Sequence, residues 1–559
     1  MKETLHVIDL VVIMCYFLGI VTYGIWLSRR IKNSDGYFTG ERKFNWWIMV
    51  GQAFGAGTHA ENFVSQTGAC YQFGFAAIWY QWKNMLITPF YWLIAPWYRR
   101  SERTTVGEIV SDRYGRFVGV IYSIFAICFF VFAQGALLKG GAKVISIACG
   151  EIISINEGVI IMSVSFIIYS FFGGLIASAY ANFIQSLMII ILSFMLIPSG
   201  LNKVGGFSGI RALLPENFFY LFSDQLGMGI FTISMLALNG IVGITAQPHM
   251  ISMCATGETE RAGRIGQTYG SIVKRFVAIG WALTGLIVAA VVIQENYQLK
   301  DPEMAFGYAS KILLMPGLTG LMIASVFAAN MSSASNFMVN TGAIFTQNIY
   351  KEFISINPTD KQLLLMGRLS GLLLTLFGVG FSIYIENVLQ AFLFIETISA
   401  FMGIMVFGGI LWKRANRYGA VSSLAISLIV YYYLNFLHTG KYELVYYWTP
   451  EIFGWAMLIG FCSLIVVSLL TNKEDENKVE IFFEKMKCLS DNNITQEAGR
   501  KPYAAKYGKD LLLVDLTGWF KRDRRINFFQ RYREDIIGFV VATFFVLLLI
   551  LIAWGVIQL

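Results

Sequence analysis

The segment FGAGTHAEN at residues 54–62 interrupts a long hydrophobic stretch that runs from about Trp46 to Tyr71. A second interruption, NGIVGITAQPH at residues 239–249, divides the hydrophobic stretch from about Gly227 to Cys254. Backbone that leaves a helix inside a bilayer must find new hydrogen-bond partners, so it is tolerated where it lines a cavity or coordinates a ligand. Paired breaks, one in each half of a chain, predict a secondary-transporter site near the middle of the membrane. Two kinked but continuous helices are the alternative, because Gly and Pro are common in membrane helices.

The composition is that of an integral membrane protein. The chain has 559 residues, of which 56% are hydrophobic and 14% are charged, and its mean hydropathy is +0.59. The apolar core of a bilayer requires roughly 20 residues per helix. About fourteen segments qualify by the same criterion; they are centred near residues 18, 58, 86, 128, 167, 189, 241, 282, 332, 373, 400, 428, 461 and 546. The chain contains no Walker loop and no zinc motif, which disfavours a primary pump and a membrane protease.

Basic residues are concentrated in alternate loops between these segments. The loops lie near residues 29–43, 99–116, 261–275, 351–368, 413–417 and 472–533. The positive-inside rule places them in the cytoplasm, and with fourteen spans both termini then lie outside. The net charge of +8 is therefore a signal of membrane topology and does not indicate a nucleic-acid partner.

The predicted fold is an all-α membrane protein with an inverted repeat. Residues 1–471 form the transmembrane core, in which residues 45–200 and 229–412 each hold five spans. An odd number of spans per repeat inserts the two repeats with opposite orientation. One helix precedes the repeats and three follow them, including a final helix at 536–559. Residues 472–535 form a cytoplasmic loop, whose basic end at 521–525 either anchors the last helix or contacts lipid headgroups.

A polar stripe marks the segment that begins at Leu318. Residues at helical spacing share one face, and they are Ser325, Ala329, Ser332, Ser333, Asn336 and Asn340. The hydroxyls of Ser332 and Ser333 and the carbonyl of Ala329, with carbonyls near Gly55 and Thr58, can supply five oxygens. Five oxygens without a required carboxylate suit Na⁺. Alternatively, the hydroxyls bond back to their own helix or fill close helix contacts.

Several stretches together resemble the sodium:solute symporter family, whose members move sugars, proline, pantothenate, sialic acid and similar solutes with Na⁺. They are YFTGER at 37–42, AENFV at 60–64, GGL at 173–175 with Gln185, ANMSS at 329–333 with IFTQNIYKE at 344–352, and LWKR at 411–414. The resemblance implies the five-plus-five leucine-transporter fold with alternating access. It also implies a sodium site at Gly55, Thr58, Ala329, Ser332 and Ser333. Asn182 stands where some members use an Asp for a further sodium ion, so one ion per solute is expected.

The resemblance places the solute between the two breaks. The matching positions are Asn62, Gln81, Asn84, Gln247 and His249, with Lys83 as an unusual charge within a span. Gln81 replaces an acid that sugar carriers use, which weakens assignment to a sugar. A buried Lys in a membrane is costly and usually paired or functional, so Lys83 either faces an anionic solute or pairs with Glu61. Glu396 is a further intramembrane acid without an assigned partner.

These features predict a sodium-coupled symporter that imports a small polar organic solute and is not an enzyme. The expected partners are the solute, Na⁺ and the lipid bilayer of the plasma membrane, without an organic cofactor, nucleic acid or evident obligate protein partner. A proton-coupled carrier on the same fold is an alternative, motivated by His59, Glu61 and Lys83. A membrane solute sensor or scaffold with a transporter fold is the second alternative.

Overall fold

The computed structural model describes residues 5–28, 37–355, 357–487, 510–514, 519 and 527–559. Side chains at 20, 21, 23–28, 41, 168–178, 180 and 181 are not described. Within the described ranges the chain is almost entirely helical, and its only β-structure is two isolated bridges. The basic residues at 29–32 and 521–525 that contributed to the topology prediction lie outside the described part of the chain.

Twelve α-helices occupy the first part of the chain: α1 Val7–Ser28, α2 Trp46–Ala56, α3 Ala60–Phe73, α4 Trp79–Trp82, α5 Thr88–Ser101, α6 Val106–Tyr114, α7 Arg116–Ala148, α8 Ile155–Val204, α9 Gly206–Leu213, α10 Ile230–Gly243, α11 Met250–Cys254 and α12 Glu260–Gln294. Nine further helices follow in the described ranges: α13 Ala305–Leu313, α14 Leu318–Ile344, α15 Asp360–Tyr384, α16 Val388–Leu411, α17 Arg417–Thr439, α18 Pro450–Leu470, α19 Glu476–Lys485, α20 Phe528–Arg531 and α21 Arg533–Gln558. A π-helical segment, Phe345–Ile354, extends α14.

Both predicted breaks are present, which excludes continuous kinked helices. Residues 57–59 separate α2 from α3. A short 3₁₀ turn, Ile244–Ala246, and the extended residue Gln247 separate α10 from α11. At each break, therefore, one half-helix ends and another begins inside the protein.

The span expected near residue 86 contains a third interruption that the sequence analysis missed. Helix α4 ends at Trp82, and five residues in turn conformation precede α5. Pro89 lies at the start of α5, where its missing N–H and fixed φ are favourable. Its position predicts a helix start, and the sequence analysis did not use this signal.

The spans expected near residues 167 and 189 form one helical run, α8. Met162 contacts Asn330 of α14, and Asn182 contacts Ser332 of the same helix. Twenty residues of straight helix would separate Met162 from Asn182 by about 30 Å, which is too far for both to reach neighbouring residues of α14. The run therefore bends between Met162 and Asn182.

Nine helices within the described ranges are long and apolar enough to cross a bilayer. They are α7, the second half of α8, α12, α14 with its π-helical extension, α15, α16, α17, α18 and α21. The total of fourteen membrane spans stays a prediction. The division of the chain into a transmembrane core, a cytoplasmic loop and a last helix also stays a prediction. Helix α12 packs against α2, α3, α5 and α8, while α14 packs against α7, α8 and α15. The first break contacts both α12 and α14, through Lys274 and Asn330.

Candidate functional site

A cavity of about 80 Å³ lies between the two breaks. Its walls come from both breaks and from helices on either side, including α7, α12 and α16. All six side chains that the sequence assigned to the solute line this cavity: Asn62, Gln81, Lys83, Asn84, Gln247 and His249. Sites for drug-sized ligands usually occupy roughly 300 Å³ or more, so the volume favours a small solute.

The first break is fixed by amide side chains on both of its sides. His59 has extended backbone angles, and its N–H donates to Oδ1 of Asn62 at 3.2 Å. The next N–H, that of Ala60, donates to Oδ1 of Asn330 on α14 at 3.0 Å. These bonds satisfy the orphan donors at the start of α3. They also connect the break to α14, the helix with the polar stripe.

The hydroxyl pair of the stripe lies against the same break. Ser333 Oγ donates to the carbonyl of Ala56 at 3.1 Å, and Ser332 Oγ donates to Oδ1 of Asn182 at 2.6 Å. Asn182 in turn donates to Oε1 of Gln52 at 2.7 Å. The structure thus brings Ser333 to the carbonyl next to that of Gly55.

The remaining predicted sodium ligands are buried in the same region. Thr58 and Ala329 are fully buried. Gly55 allows α2 to approach α8 closely, since a Cβ there would lie 2.7 Å from the Asn182 carbonyl oxygen. The hydroxyl of Thr58 has no hydrogen-bond partner among the described residues. The predicted ligands are therefore shielded from solvent.

In the second break, hydroxyl groups from three other helices donate to the backbone carbonyls. Ser399 donates to the carbonyl of Gly243 at 2.8 Å. Tyr98 donates to that of Thr245 at 2.9 Å, and Tyr122 donates to that of Ala246 at 2.6 Å. These hydroxyls meet the demand of the second break's carbonyls for hydrogen-bond partners in a bilayer.

Several polar atoms facing the cavity have no protein partner among the described residues. They are Asn62 Nδ2, Asn84 Oδ1, His249 Nδ1, Glu61 Oε2, Gln267 Oε1 and Arg275 Nε. Buried polar atoms are normally hydrogen-bonded. This mixture of donors and acceptors therefore fits a polar solute.

The two cavity histidines have different surroundings. Nδ1 of His59 lies 3.0 Å from Oε1 of Glu61. The ring of His249 stacks on Phe129 at 6.0 Å and lies 6.2 Å from the ring of Phe337. Glu61, which the sequence analysis considered as a partner for Lys83, is therefore paired with His59.

A model of the sodium:solute symporter family matches residues 37–427. The chain belongs to this family. Two of its relatives are the osmoregulated proline transporter OpuE of Bacillus subtilis and the sodium/glucose cotransporter of Vibrio parahaemolyticus. The first is 24% identical over 85% of this chain and 97% of the relative, and the second is 23% identical over 78% and 86%. The relatives are transporters, so this symporter is a multi-pass membrane transporter and not an enzyme.

Solved structures support the same fold. A Na⁺-coupled sialic acid symporter in an outward-open state has a TM-score of 0.69 at 18% identity, over 84% of this chain and 99% of that one. Mhp1, a nucleobase-cation-symport-1 family transporter, has a TM-score of 0.52 at 13% identity, over 80% and 98%. The predicted leucine-transporter architecture is confirmed.

Lys83 of the symporter pairs with Glu396 of α16 and not with Glu61. Gln247 of the second break also donates to Glu396, at 2.9 Å, and the Lys83 ammonium lies 5.1 Å from the centre of the Phe392 ring. The predicted alternative with Glu61 is therefore wrong. Glu396 therefore binds two side chains from regions distant in the chain, those of Lys83 and Gln247.

Lys274 and Arg275 were placed in a cytoplasmic loop by the sequence analysis, and that placement is wrong. Both lie on α12 and line the cavity, and the Lys274 ammonium donates to the carbonyl of Gly57 in the first break. Neither forms an ion pair with a carboxylate among the described residues. Gln267 and Ser271 line the same wall, so the helical spacing 267, 271, 274 and 275 could have revealed this face.

The cavity therefore carries more positive than negative charge. Its cations are Lys83, Lys274 and Arg275, and its acids are Glu61 and Glu396. Because Lys83 is paired with Glu396, the excess of basic side chains lies on α12, at Lys274 and Arg275.

Proposed function

We propose that this symporter couples the entry of Na⁺ to the import of a small anionic solute by alternating access. The observation that carries the proposal is that the solute-sized cavity adjoins the first break, where Ser333 meets the Ala56 carbonyl at 3.1 Å. An ion at that junction would hold α2 against α14. A solute in the cavity would contact both breaks. The two ligands thus act on the same helices, as coupling requires.

The proposed sodium ligands are five buried oxygens: the carbonyls of Gly55, Thr58 and Ala329 and the hydroxyls of Ser332 and Ser333. Two observations support them. The hydroxyl proton of Ser332 is directed to Asn182, which leaves its lone pairs for a cation. The Ser333 hydroxyl lies 3.1 Å from the carbonyl of Ala56, which brings an oxygen of α14 against the first break. Oxygen-only coordination suits a hard cation such as Na⁺.

The proposed solute contacts are Asn62, Gln81, Asn84, Gln247, His249 and Lys83. The negative group of the solute is expected at Lys274 and Arg275, because a buried charge in a membrane requires a partner and these two lack a carboxylate. Lys83, paired with Glu396, then positions the second break through Gln247. The solute is small, polar and acidic on this proposal.

The test is a thermal-shift screen of the purified, full-length protein against matched carboxylic acids and their primary amides, with Na⁺ or with choline. We expect stabilisation by an acid in Na⁺ and a weaker effect of its amide. Arg275→Gln should reduce the difference in binding free energy between the acid and its amide by about 1.5–3 kcal/mol, which is the range of a hydrogen bond to a charged group. Lys361→Gln, at an exposed site, is the control. An amide that binds as well as its acid contradicts the anionic solute, and equal binding in choline contradicts sodium coupling.

A proton-coupled carrier is the second candidate, and one observation favours it. The ammonium of Lys274 already donates to the Gly57 carbonyl, between the proposed ligands Gly55 and Thr58. A protonated Lys274 could therefore serve as the cation of the first break. Uptake into proteoliposomes driven by a pH gradient in sodium-free buffer distinguishes this mechanism from sodium coupling.

The proposed location is the plasma membrane, with both termini outside and residues 472–535 in the cytoplasm. Support comes from the concentration of basic residues in alternate loops. Labelling of single cysteines introduced at Lys478 and Lys441 by a membrane-impermeant maleimide on intact cells tests this orientation. Lys441 should be labelled and Lys478 should not.

A further inference from the structure

A basic groove lies outside the transport cavity, where the last helix meets α12. It has a volume of about 700 Å³ and is lined by Arg261, Arg531, Arg533 and Glu534, with Trp92 and the first turns of α21 as its floor. Arg531 pairs with Asp510. Arg261 and Arg533 are exposed and form no ion pair with a carboxylate among the described residues. The groove therefore has unbalanced positive charge.

The floor of the groove is held by a buried ionic network. Arg264 contacts Glu260 at 3.0 Å and Asp535 at 2.6 Å, and Arg100 contacts Glu260 at 2.6 Å. Trp92 donates its indole N–H to the Glu534 carbonyl at 2.9 Å. These contacts connect α5, α12 and α21. The exposed arginines thus stand on a fixed base.

An apolar groove continues from the basic one. It has a volume of about 640 Å³, is lined by Trp46, Val50 and Ile265 with Glu258 as its acidic side chain, and shares Arg261 and Tyr269 with the basic groove. On the other side, α21 exposes Val540, Phe544 and Leu551. A free anion makes no use of such surfaces, whereas acyl chains do.

We propose that the two grooves bind one anionic phospholipid, with its phosphate at Arg261 and Arg533 and an acyl chain beside Trp46. Arg533 begins an apolar membrane span, so its guanidinium lies at the depth of lipid headgroups. Tyr269 and Trp92, whose rings lie 6.5 Å apart, are residue types that prefer this interface. A third groove, near Lys413 and Glu474, has three basic and three acidic side chains and lacks the excess charge.

The bound lipid would link α21 to the helix that carries the unpaired cavity cations. Arg261 and Lys274 lie on the same helix, about 20 Å apart at 1.5 Å per residue. A headgroup between Arg261 and Arg533 would add to the connection between α12 and α21 that the Arg264–Asp535 pair already makes. The lipid would therefore stabilise the packing of α21 and is not a transported solute.

The test measures lipid retention and stability of the full-length protein after delipidation. In native mass spectrometry we expect one molecule of phosphatidylglycerol to be retained in preference to phosphatidylcholine, and phosphatidylglycerol should raise the melting temperature. Each basic side chain near an anionic surface contributes about a fivefold gain in affinity, so Arg261→Gln/Arg533→Gln should require roughly 25 times more phosphatidylglycerol. Lys361→Gln/Lys478→Gln removes the same charge at exposed sites and should retain the response.

Each other outcome contradicts the proposal. An equal shift with inorganic phosphate would indicate a soluble-anion site, and an equal effect of phosphatidylcholine would indicate an apolar groove without headgroup selection. A full response in the arginine double variant would place the lipid elsewhere. If that variant fails to fold, two other measurements still decide the outcome. They are the lipid response of Arg261→Lys/Arg533→Lys and the lipid preference of the unaltered protein.

Discussion

The ammonium of Lys83 and the carboxylate of Glu396 form a buried ion pair across the transport cavity. Lys83 lies in the interruption between α4 and α5, and Glu396 lies in the middle of α16. Gln247 of the second break binds the same carboxylate at 2.9 Å. The pair therefore joins three elements: the interruption before α5, the second break and α16.

Removal of one member of this pair should destabilise the protein more than removal of both. Lys83→Met leaves Glu396 as an uncompensated buried charge, which typically costs about 3–5 kcal/mol. Lys83→Met/Glu396→Gln leaves neither charge and should recover most of the loss in melting temperature, measured in detergent. Lys83→Met/Glu61→Gln is the matched control and should not recover it, because Glu61 pairs with His59. Rescue by the Glu61 change instead would show that the pairing is misassigned.

Sodium activation of uptake should depend on Ser333. Ser333→Ala removes one proposed ligand of five, and a lost buried polar contact typically costs about 1–3 kcal/mol. The half-saturating sodium concentration should therefore rise at least about fivefold. Ser325→Ala is the control, because Ser325 bonds back to Leu321 of its own helix and should leave sodium activation unchanged. An unaltered sodium dependence in Ser333→Ala removes this residue from the site.

One sodium ion is expected to enter with each solute molecule. Asn182 stands where a second ion would require a carboxylate, and its amide is already bonded to Ser332 and Gln52. A neutral amide compensates the desolvation of an ion less well than a charged oxygen does. Reversal potentials in proteoliposomes measure the ratio directly. A ratio of two sodium ions per solute would show that another group replaces the carboxylate.

The sequence predicted the elements whose causes are local. Both breaks are visible because Gly57 and Pro248 interrupt apolar runs, and the stripe at Ser332 and Ser333 is visible because hydroxyls recur at helical spacing. The structure places the six solute residues around one cavity. These signals depend on a few neighbouring residues, which a single sequence contains.

The sequence did not predict the partners of the buried charges. Lys83 and Glu396 are distant in the chain, so only the fold decides that Glu396, and not Glu61, is the partner. Lys274 and Arg275 were counted as loop residues because basic residues usually lie outside the bilayer. Their place in α12 follows from tertiary packing, which overrides that tendency.

Solute affinity should depend on the close contact of Gly240 with Asn84. A Cβ at Gly240 would lie 2.1 Å from Oδ1 of Asn84, so Gly240→Ala must displace that amide, which lines the cavity. We expect the KM for solute to rise about fivefold, which corresponds to one hydrogen bond of about 1 kcal/mol, while sodium activation stays unchanged. Alanine favours a helix over glycine by about 1 kcal/mol, so lost helix stability cannot explain a rise. Gly380→Ala, whose Cβ meets open space, is the control. An unchanged KM would mean that Asn84 does not contact the solute.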